Sequence, residues 1–82
     1  MNLRQLQYLV AIADEGSFTR AAERLLVAQP SLSQQIKSLE RELGGQLLER
    51  LPNGVRLTTA GKAFMPDARR LVLHEGRLHV YE

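Results

Sequence analysis

The sequence predicts a mainly helical fold, a winged helix-turn-helix in which a three-helix core carries a short two-stranded β wing and is followed by a long helix. Three observations predict it. Residues 18–44 contain two amphipathic segments joined by a turn that is too short to be a linker. Two short strand-like runs flank Pro52-Asn53-Gly54. Helical periodicity then returns after Leu57.

The first helix is predicted over residues 3–14 and supports the core. Its apolar side chains recur at helical spacing, at Leu3, Leu6, Leu9, Val10 and Ala13, with Tyr8 and Ile12 widening the stripe. An aromatic side chain such as Tyr8 or Phe18 could stack on a nucleobase instead. A lone aromatic within an apolar helical stripe is far more often part of a core, so we assign both to the core.

The second helix is predicted to begin after Gly16-Ser17. Gly16 ends the preceding helix, and the Ser17 hydroxyl can accept a hydrogen bond from a backbone amide one turn further on. The buried stripe of this helix is Phe18, Ala21, Ala22 and Leu25. Small alanines in the middle of the stripe allow another helix to approach closely, as a helix-turn-helix requires. The turn is expected at about Leu26 to Gln29.

The third helix has an apolar side and a polar side. Pro30 suits its first turn, where the missing amide hydrogen has no intrahelical partner to lose. The apolar side consists of Leu32, Ile36, Leu39 and Leu43, at steps of 4, 3 and 4 residues. The opposite arc holds Pro30, Ser31, Gln34, Lys37, Ser38 and Arg41, with Ser33 on its flank. One side therefore packs against the core, and the other is free to contact a partner.

The polar side of the third helix carries groups that recognise duplex DNA. Glutamine pairs with the adenine edge, serine bonds to either kind of base edge, and a proline ring fits against a thymine methyl. Because only the N-terminal part of a recognition helix reaches the bases, the predicted base-reading residues are Gln29, Pro30, Ser33 and Gln34. Contacts to the DNA backbone or from the wing are assigned to Ser17, Ser31, Lys37, Ser38, Arg41, Arg50, Asn53 and Arg56.

Two other functions compete with sequence-specific DNA binding. A polar helix face on a small domain is often only a solvated surface, and a helical protein-interaction module would present one as well. A protein that binds DNA without sequence preference is the second alternative. The charge pattern favours sequence-specific binding, because no Asp or Glu lies between Gln29 and Ser38 although the chain holds nine acidic residues.

The β wing is predicted from the runs at residues 47–50 and 54–58. Asn53-Gly54 is the expected turn pair, because both residues accept a positive φ. The alternative is an irregular loop after Gly44-Gly45. Arg50 and Arg56 are expected near DNA in either case.

The last helix is expected to begin at Ala60-Gly61, with Thr58 or Thr59 as its N-cap. Pro66 should kink this helix or force a local defect. Its apolar seam is Ala60, Phe64, Ala68, Leu71 and Leu78. So short a chain cannot bury that seam alone, and we therefore predict a homodimer formed through Phe64, Ala68, Leu71 and Leu78.

The chain divides accordingly into two parts. A winged helix-turn-helix domain is predicted at residues 1–58, with the helix-turn-helix itself at about 18–37. A linker or dimerisation helix is predicted at residues 59–82.

Several blocks of residues occur in an order and spacing that are typical of a known family. They are Leu3–Leu9, Gly16–Thr19 with Ala21, Ala22 and Leu25, Ala28–Ser33, Ile36, Leu39, Glu40, Leu43 and Gly44, Leu47–Arg50, and Leu57–Gly61. These blocks make residues 1 to about 65 similar to the N-terminal domain of the LysR-type transcriptional regulators, a resemblance that covers about four fifths of the chain.

The resemblance implies that the chain binds operator DNA as a dimer, with Gln29, Pro30 and Ser33 near bases and Arg50 on the backbone. It also implies a large effector-binding domain after the last helix. That domain is absent from these residues, and a small-molecule effector or a higher oligomer is expected only in a full-length protein. Two departures stand out. Leu48 replaces the usual Phe, and residues 51–54 lack the extra Arg or Lys that commonly enter the minor groove.

Composition sets limits on other functions. The 82 residues contain no cysteine and fit one small domain without disulfides or thiolate metal sites. No apolar run approaches the roughly 18 residues of a membrane span, so a cytoplasmic location is expected. A pI near 9.5 suits a nucleic-acid partner better than the net charge of +2 alone indicates.

Neither an enzymatic activity nor a cofactor is predicted. Gly61-Lys62 is followed by Ala63, where a phosphate-binding loop needs Ser or Thr. His74 and His79 are five residues apart, which places them on different helix faces and argues against a shared metal site.

Overall fold

The predicted fold class is confirmed by a computed structural model, which describes the backbone of residues 1–81 and the side chains of residues 1–74. Four helices and one two-stranded sheet are present in that part of the chain. In chain order they are α1 (Leu3–Glu15), α2 (Phe18–Leu25), α3 (Gln29–Leu43), β1 (Leu48–Leu51), β2 (Gly54–Leu57) and α4 (Thr59–Tyr81).

The core forms around α1, which packs against α2, α3 and α4. Leu9 and Ile12 of α1, with Leu32 and Leu39 of α3, are the largest fully buried side chains. Because α1 has neighbours on several sides, burial extends beyond the predicted stripe to Ala11 and Gln5. The Gln5 side chain accepts a hydrogen bond from the Asn2 amide and donates one to Gln35 Oε1, so its burial leaves no polar atom unpaired.

The helix-turn-helix follows the predicted pattern, with two corrections. The Ser17 hydroxyl accepts from the Arg20 amide and caps α2, as expected. The turn consists of residues 26–28, because Gln29 already belongs to α3, which runs to Leu43. Leu43 is 42% exposed and not part of the buried side, because the helix ends there and the chain turns away at Gly44.

The wing is an antiparallel hairpin and not an irregular loop. Leu48 pairs with Leu57 and Leu51 with Gly54, so Pro52-Asn53 forms the turn and the expected Asn53-Gly54 turn pair is wrong. Gly54 is needed for another reason. A Cβ atom at Gly54 would lie 2.8 Å from the Gly16 carbonyl oxygen, to which the Val55 amide donates a hydrogen bond of 3.1 Å. The wing is thereby attached to the end of α1.

The start of α4 is fixed by Thr58, one of the two predicted caps. Its hydroxyl oxygen accepts from the Gly61 amide at 3.0 Å, while its hydroxyl hydrogen is donated to the Gln46 carbonyl at 2.6 Å. The Thr58 amide also donates to the Leu47 carbonyl. The first turn of α4 is therefore held against the segment that enters β1.

The buried face of α4 differs from the predicted seam. Gly61, Met65 and Ala68 are buried, with Val72 packed beside them, because a stripe at this spacing faces the core of the same chain. The placement of Ala68 in a dimer interface is wrong, since its side chain is 0% exposed. Ala60 is exposed in the single chain.

The remaining predictions for α4 have mixed outcomes. Phe64 is half-buried and Leu71 is 46% exposed, while Leu78 lies outside the residues whose side chains are described. Pro66 is exposed, and α4 continues through it without a break. No local break therefore interrupts residues 59–81 at Pro66, and the predicted kink stays a prediction.

Candidate nucleic-acid interface

The polar side of α3 is open to solvent along most of its length. Its apolar side is buried through Leu32, Ile36 and Leu39. Among the predicted contact residues, those exposed on α3 are Gln29, Pro30, Ser31, Gln34, Lys37 and Arg41. Ser33 and Ser38 are half-buried. The helix thus presents amides, hydroxyls and cations on one continuous surface.

Two grooves adjoin this surface and place residues from three elements side by side. The first, of about 210 Å³, lies between the N-termini of α2 and α3 and the wing. Its lining residues are Ser17, Phe18, Thr19, Gln29, Arg50, Leu51, Asn53 and Gly54. The second, of about 250 Å³, runs between α3 and β1. Its lining residues are Phe18, Ser33, Ile36, Lys37, Glu40, Gln46, Leu48 and Arg50.

Arg50 lines both grooves and joins the wing to α3. Its Nη2 atom donates a hydrogen bond of 2.8 Å to Ser33 Oγ. Its guanidinium carbon lies 3.9 Å from the centre of the Phe18 ring, within the range of a cation–π contact. The sequence indicated Arg50 as a DNA-contacting residue but not this pair of contacts, because Arg50 is 17 residues from Ser33 along the chain.

Arg56 lies apart from this surface. Glu49 is directly opposite Arg56 in the hairpin, and their side chains form an ion pair at 3.0 Å. Side chains alternate between the two faces of a strand, so this pair occupies the face opposite to Arg50 and Val55. The structure therefore brings Arg50 and Asn53 to the grooves and places Arg56 on the other side of the wing.

The acidic residues near the end of α3 have partners within the protein. The Glu40 carboxylate accepts hydrogen bonds from the amides of Leu47 and Leu48 at 2.7 and 3.2 Å, which fixes the start of β1. Glu42 pairs with the amino group of Met1. These negative charges are thereby partly offset, and the surface keeps the cationic character of Lys37, Arg41 and Arg50.

Two uncharged polar residues of the grooves are not among the predicted contact residues. Thr19 lines the first groove, as Asn53 does, and the only sequence signal for it is a polar residue two positions after the Ser17 cap. Gln46 lines the second groove with its carbonyl bound to Thr58. No local pattern identifies Gln46, because its position depends on how α3, β1 and α4 meet.

The N-terminus of α3 also faces the first groove. Its N-cap, Ala28, makes no side-chain hydrogen bond to the helix, and Pro30 follows within the first turn. The first amides of a helix have no intrahelical acceptors, and together with the helix dipole they attract anions. This end of α3 is therefore suited to a phosphate oxygen.

A separate ion-pair cluster joins α1, α2 and α4. The Asp14 carboxylate accepts a hydrogen bond of 2.7 Å from Arg69 and lies 3.6 Å from Arg24. The hydrogen bond from Arg69, with the charges of Arg69 and Arg24, holds the pKa of Asp14 below its ordinary value of 3.8. None of these three residues lines either groove, so the cluster contributes to the scaffold.

The helix-turn-helix, the wing and the cationic surface between them define the class of winged helix-turn-helix DNA-binding domains. Residues 3–62 match the family profile described as "Bacterial regulatory helix-turn-helix protein, lysR family". The chain belongs to the LysR family of bacterial regulators and carries the DNA-binding domain of that family. This is a family of transcriptional regulators and not of enzymes.

Similar proteins agree with this assignment. The transcriptional regulator TfdT of Cupriavidus pinatubonensis is 51% identical over 72 residues, which cover 88% of this chain and 32% of TfdT. The crystal structure of the CbnR_DBD–DNA complex is 46% identical with a TM-score of 0.90, covering 99% of this chain and 93% of that one. The BenM_DBD/catB site 1 DNA complex gives 46% identity and a TM-score of 0.92, covering 99% and 91%.

The curated relatives are longer than this chain. The 82 residues span 32% of TfdT and 26% of ClcR from Pseudomonas putida. Within residues 1–81, no helix combines the length and the apolar character needed to cross a membrane.

Proposed function

We propose that this chain binds a specific operator sequence in double-stranded DNA by inserting α3 into the major groove. The observation that carries the proposal is the exposed polar side of α3, which is continuous with two grooves that contain Arg50. Two similar structures, those of CbnR and BenM, contain DNA in addition. The chemistry of the surface fits the same ligand, because it offers hydrogen-bonding groups toward bases and cations toward phosphates.

In this proposal, the N-terminal half of α3 reads the sequence. Gln29, Pro30, Ser33 and Gln34 contact base edges, since the first turns of a recognition helix enter the groove most deeply. Lys37, Arg41 and Arg50 bind phosphates, as do the hydroxyls of Ser17, Ser31 and Ser38. Asn53 at the tip of the wing approaches the minor groove, whereas Arg56 contributes charge from the far face of the wing.

We further propose that the chain forms a homodimer through the exposed apolar part of α4. Leu71 lines a groove with Met1, Leu3, Leu6 and His74, and a neighbouring one with Phe64. The second subunit would cover this surface, with Phe64, Leu71 and Leu78 in contact across the interface. The two α3 helices would then meet successive major grooves about 34 Å apart on one side of the duplex.

The proposal extends to the biological setting. An operator-binding protein acts where the chromosome is, so we propose a cytoplasmic location. The share of TfdT and ClcR that this chain spans leaves room in such regulators for a separate effector-binding domain and for higher oligomers. Recognition of a small molecule would belong to that domain.

Selection of bound duplexes from a random DNA library at near-physiological salt tests this function. An enriched interrupted palindrome is expected, with half-sites related by the dimer. We expect Gln29→Ala to relax sequence preference. Arg50→Ala should weaken binding to every duplex and lower the salt slope by roughly 1.

The competing functions give different results in the same selection. Equal binding to all duplexes would indicate DNA packing without sequence preference, and absence of any duplex binding would indicate a protein-interaction module. Equal losses on operator and random DNA for Gln29→Ala would contradict its role in base reading.

A further inference from the structure

Arg50 is fixed by two contacts within the chain. Its Nη2 atom lies 2.8 Å from Ser33 Oγ, and its guanidinium carbon lies 3.9 Å from the centre of the Phe18 ring. Phe18 is 7% exposed and packs in the hydrophobic core, so the ring is a rigid platform. The platform holds a planar cation against the hydroxyl of a residue that is proposed to read a base.

The contact with Arg50 changes what Ser33 can offer to a ligand. A guanidinium has only donors, so the Ser33 oxygen must accept this hydrogen bond. A serine has one hydroxyl hydrogen, which stays available to donate toward an acceptor. The second lone pair of the Ser33 oxygen lies beside the positive charge of Arg50. That charge repels the amino hydrogens of a base and attracts its acceptor oxygens. Ser33 is thereby biased toward donation.

The two kinds of hydrogen-bonding group in the major groove separate the bases into two pairs. Guanine O6 and thymine O4 are acceptors on keto bases, whereas adenine N6 and cytosine N4 carry amino hydrogens. Adenine also has an acceptor, N7, but its N6 amino hydrogens lie directly beside it. An unconstrained serine bonds to either kind and discriminates poorly. A serine that is biased toward donation and lies beside a positive charge prefers a keto base, because that charge repels the amino hydrogens that adenine and cytosine present.

We propose that Ser33 reads a keto base, guanine or thymine, and that Arg50 and Phe18 are the positioning residues that give it this preference. The proposal rests on the DNA-binding function proposed above and adds the chemical class of base at one position of the half-site. Phe18 then has two roles, since the same ring fills the core and orients Arg50.

Arg50 keeps a separate role toward the backbone. Its guanidinium has five N–H groups, and the bond to Ser33 occupies one of them. The remaining groups are available to a phosphate, which is bound without sequence preference. Affinity and salt dependence therefore report the phosphate contact, whereas the base preference at one position reports the contact with Ser33.

The test compares base preferences selected from a random duplex library by the 82-residue chain and three variants. Ser33→Ala identifies the position that Ser33 reads, because its preference there should fall about tenfold, the loss of one hydrogen bond. Arg50→Met removes the donor and the charge but keeps an apolar stem against Phe18. With Ser33 still present, we expect adenine and cytosine to become acceptable at that position.

Phe18→Leu separates positioning from charge. It keeps an apolar side chain in the core and leaves Arg50 intact but removes the ring platform. We expect the keto preference to relax while the salt slope stays that of the unmodified chain. Thermal unfolding, measured by circular dichroism, identifies the variants that are folded at the selection temperature. If Phe18→Leu is unfolded there, the base preference of Arg50→Met alone tests the proposal.

The outcomes distinguish this proposal from the one on which it rests. Absence of any enriched site with the unmodified chain would overturn both. An enriched site in which the Ser33-dependent position prefers adenine or cytosine, or keeps its keto preference in Arg50→Met, would overturn this inference alone. A uniform loss of affinity in Ser33→Ala, without a change at any base position, would assign Ser33 to a phosphate and also overturn it.

Discussion

Gly61 lies where α4 passes closest to the chain that enters the wing. A Cβ atom at this position would lie 2.1 Å from the Leu47 carbonyl oxygen, and the Gly61 amide is the donor to the Thr58 cap. A contact that short with a backbone atom cannot be relieved by rotating a side chain. The absence of a side chain at Gly61 is therefore a condition for the junction of α4 with β1.

We expect Gly61→Ala to lower the free energy of unfolding by about 2–3 kcal/mol, because overpacking outweighs the better helix propensity of alanine. The midpoint of thermal unfolding should fall by roughly 10 °C or more. Gly45→Ala is a matched control, since a Cβ atom there meets nothing within 4 Å. Equal stability of Gly61→Ala and the unmodified chain would contradict the close approach.

We expect the ion pairs of Asp14 to make the free energy of unfolding depend weakly on pH, with lower stability in acid. Arg69 and Arg24 lower its pKa in the folded chain below 3.8, so the cluster stabilises the fold above that pH and loses its effect as pH falls through the folded pKa. Side chains of the cluster are 34–48% exposed, and solvent screening limits the contribution to less than about 1 kcal/mol.

Chemical unfolding of Asp14→Asn and the unmodified chain over a pH series checks this expectation. Asp14→Asn should be less stable at neutral pH, and the two chains should converge in acid once Asp14 is protonated. High salt should reduce the difference at neutral pH as well. A difference that persists undiminished in acid would assign Asp14 a role other than charge.

Among the elements, α2 and α3 could be predicted most completely from the sequence. Their apolar positions repeat at helical spacing, and Ser17 and Pro30 mark where each helix begins. Leu43 was misassigned because periodicity continues through the last residue of a helix, whereas burial depends on what lies beside it. The local sequence pattern therefore predicts both helices and the polar side of α3, but it does not predict where the buried side of α3 ends.

The wing and α4 were harder to predict, because both depend on contacts between distant residues. Gly54 adjoins Gly16, and Arg50 stacks on Phe18, and neither contact has a local signal. On α4 the helical repeat admits more than one apolar stripe, and packing against the core selected the one that contains Met65 and Ala68. The sequence therefore predicts the individual residues of the candidate site, but it does not predict how they assemble around Arg50.

The tip of the wing offers a test of the proposed minor-groove contact. Asn53 lines the first groove next to Arg50 but carries no charge. We expect Asn53→Arg to raise affinity for duplex DNA at low salt and to steepen the salt dependence by about 0.9 in the logarithmic slope, as one added phosphate contact does. Filter binding or fluorescence anisotropy over a salt series measures both.

Asn53→Gln is the matched control for that substitution, because it lengthens the side chain without adding a charge. Its salt slope should equal that of the unmodified chain. If Asn53→Arg leaves both slope and affinity unchanged, the tip of the wing does not approach a phosphate.

At the scale of the whole molecule, the proposed dimer surface is the exposed apolar part of α4. Leu71 is 46% exposed and lines two apolar grooves beside α1. Leu73 is 57% exposed but lies two positions further along α4, on a different side of the helix. These two leucines are therefore a matched pair for mutation.

We expect Leu71→Asp to shift the chain toward monomer in sedimentation equilibrium and to abolish the advantage of a palindromic operator over a single half-site. The reason is that a charge in an apolar interface loses its hydration without gaining a partner. Leu73→Asp should leave both measurements unchanged. Dimerisation that is weakened equally by both substitutions, or by neither, would contradict the proposed interface.

The burial of Gly61, Met65 and Ala68 has a mechanical consequence. With 23 residues at 1.5 Å each, α4 is about 34 Å long, and its first turns are seated in the same core as the recognition helix. The N-terminal part of this helix is therefore fixed to the DNA-binding domain, while its C-terminal part extends away from it. In the proposed dimer, a small change in the angle between the two α4 helices would change the spacing and angle of the two recognition helices.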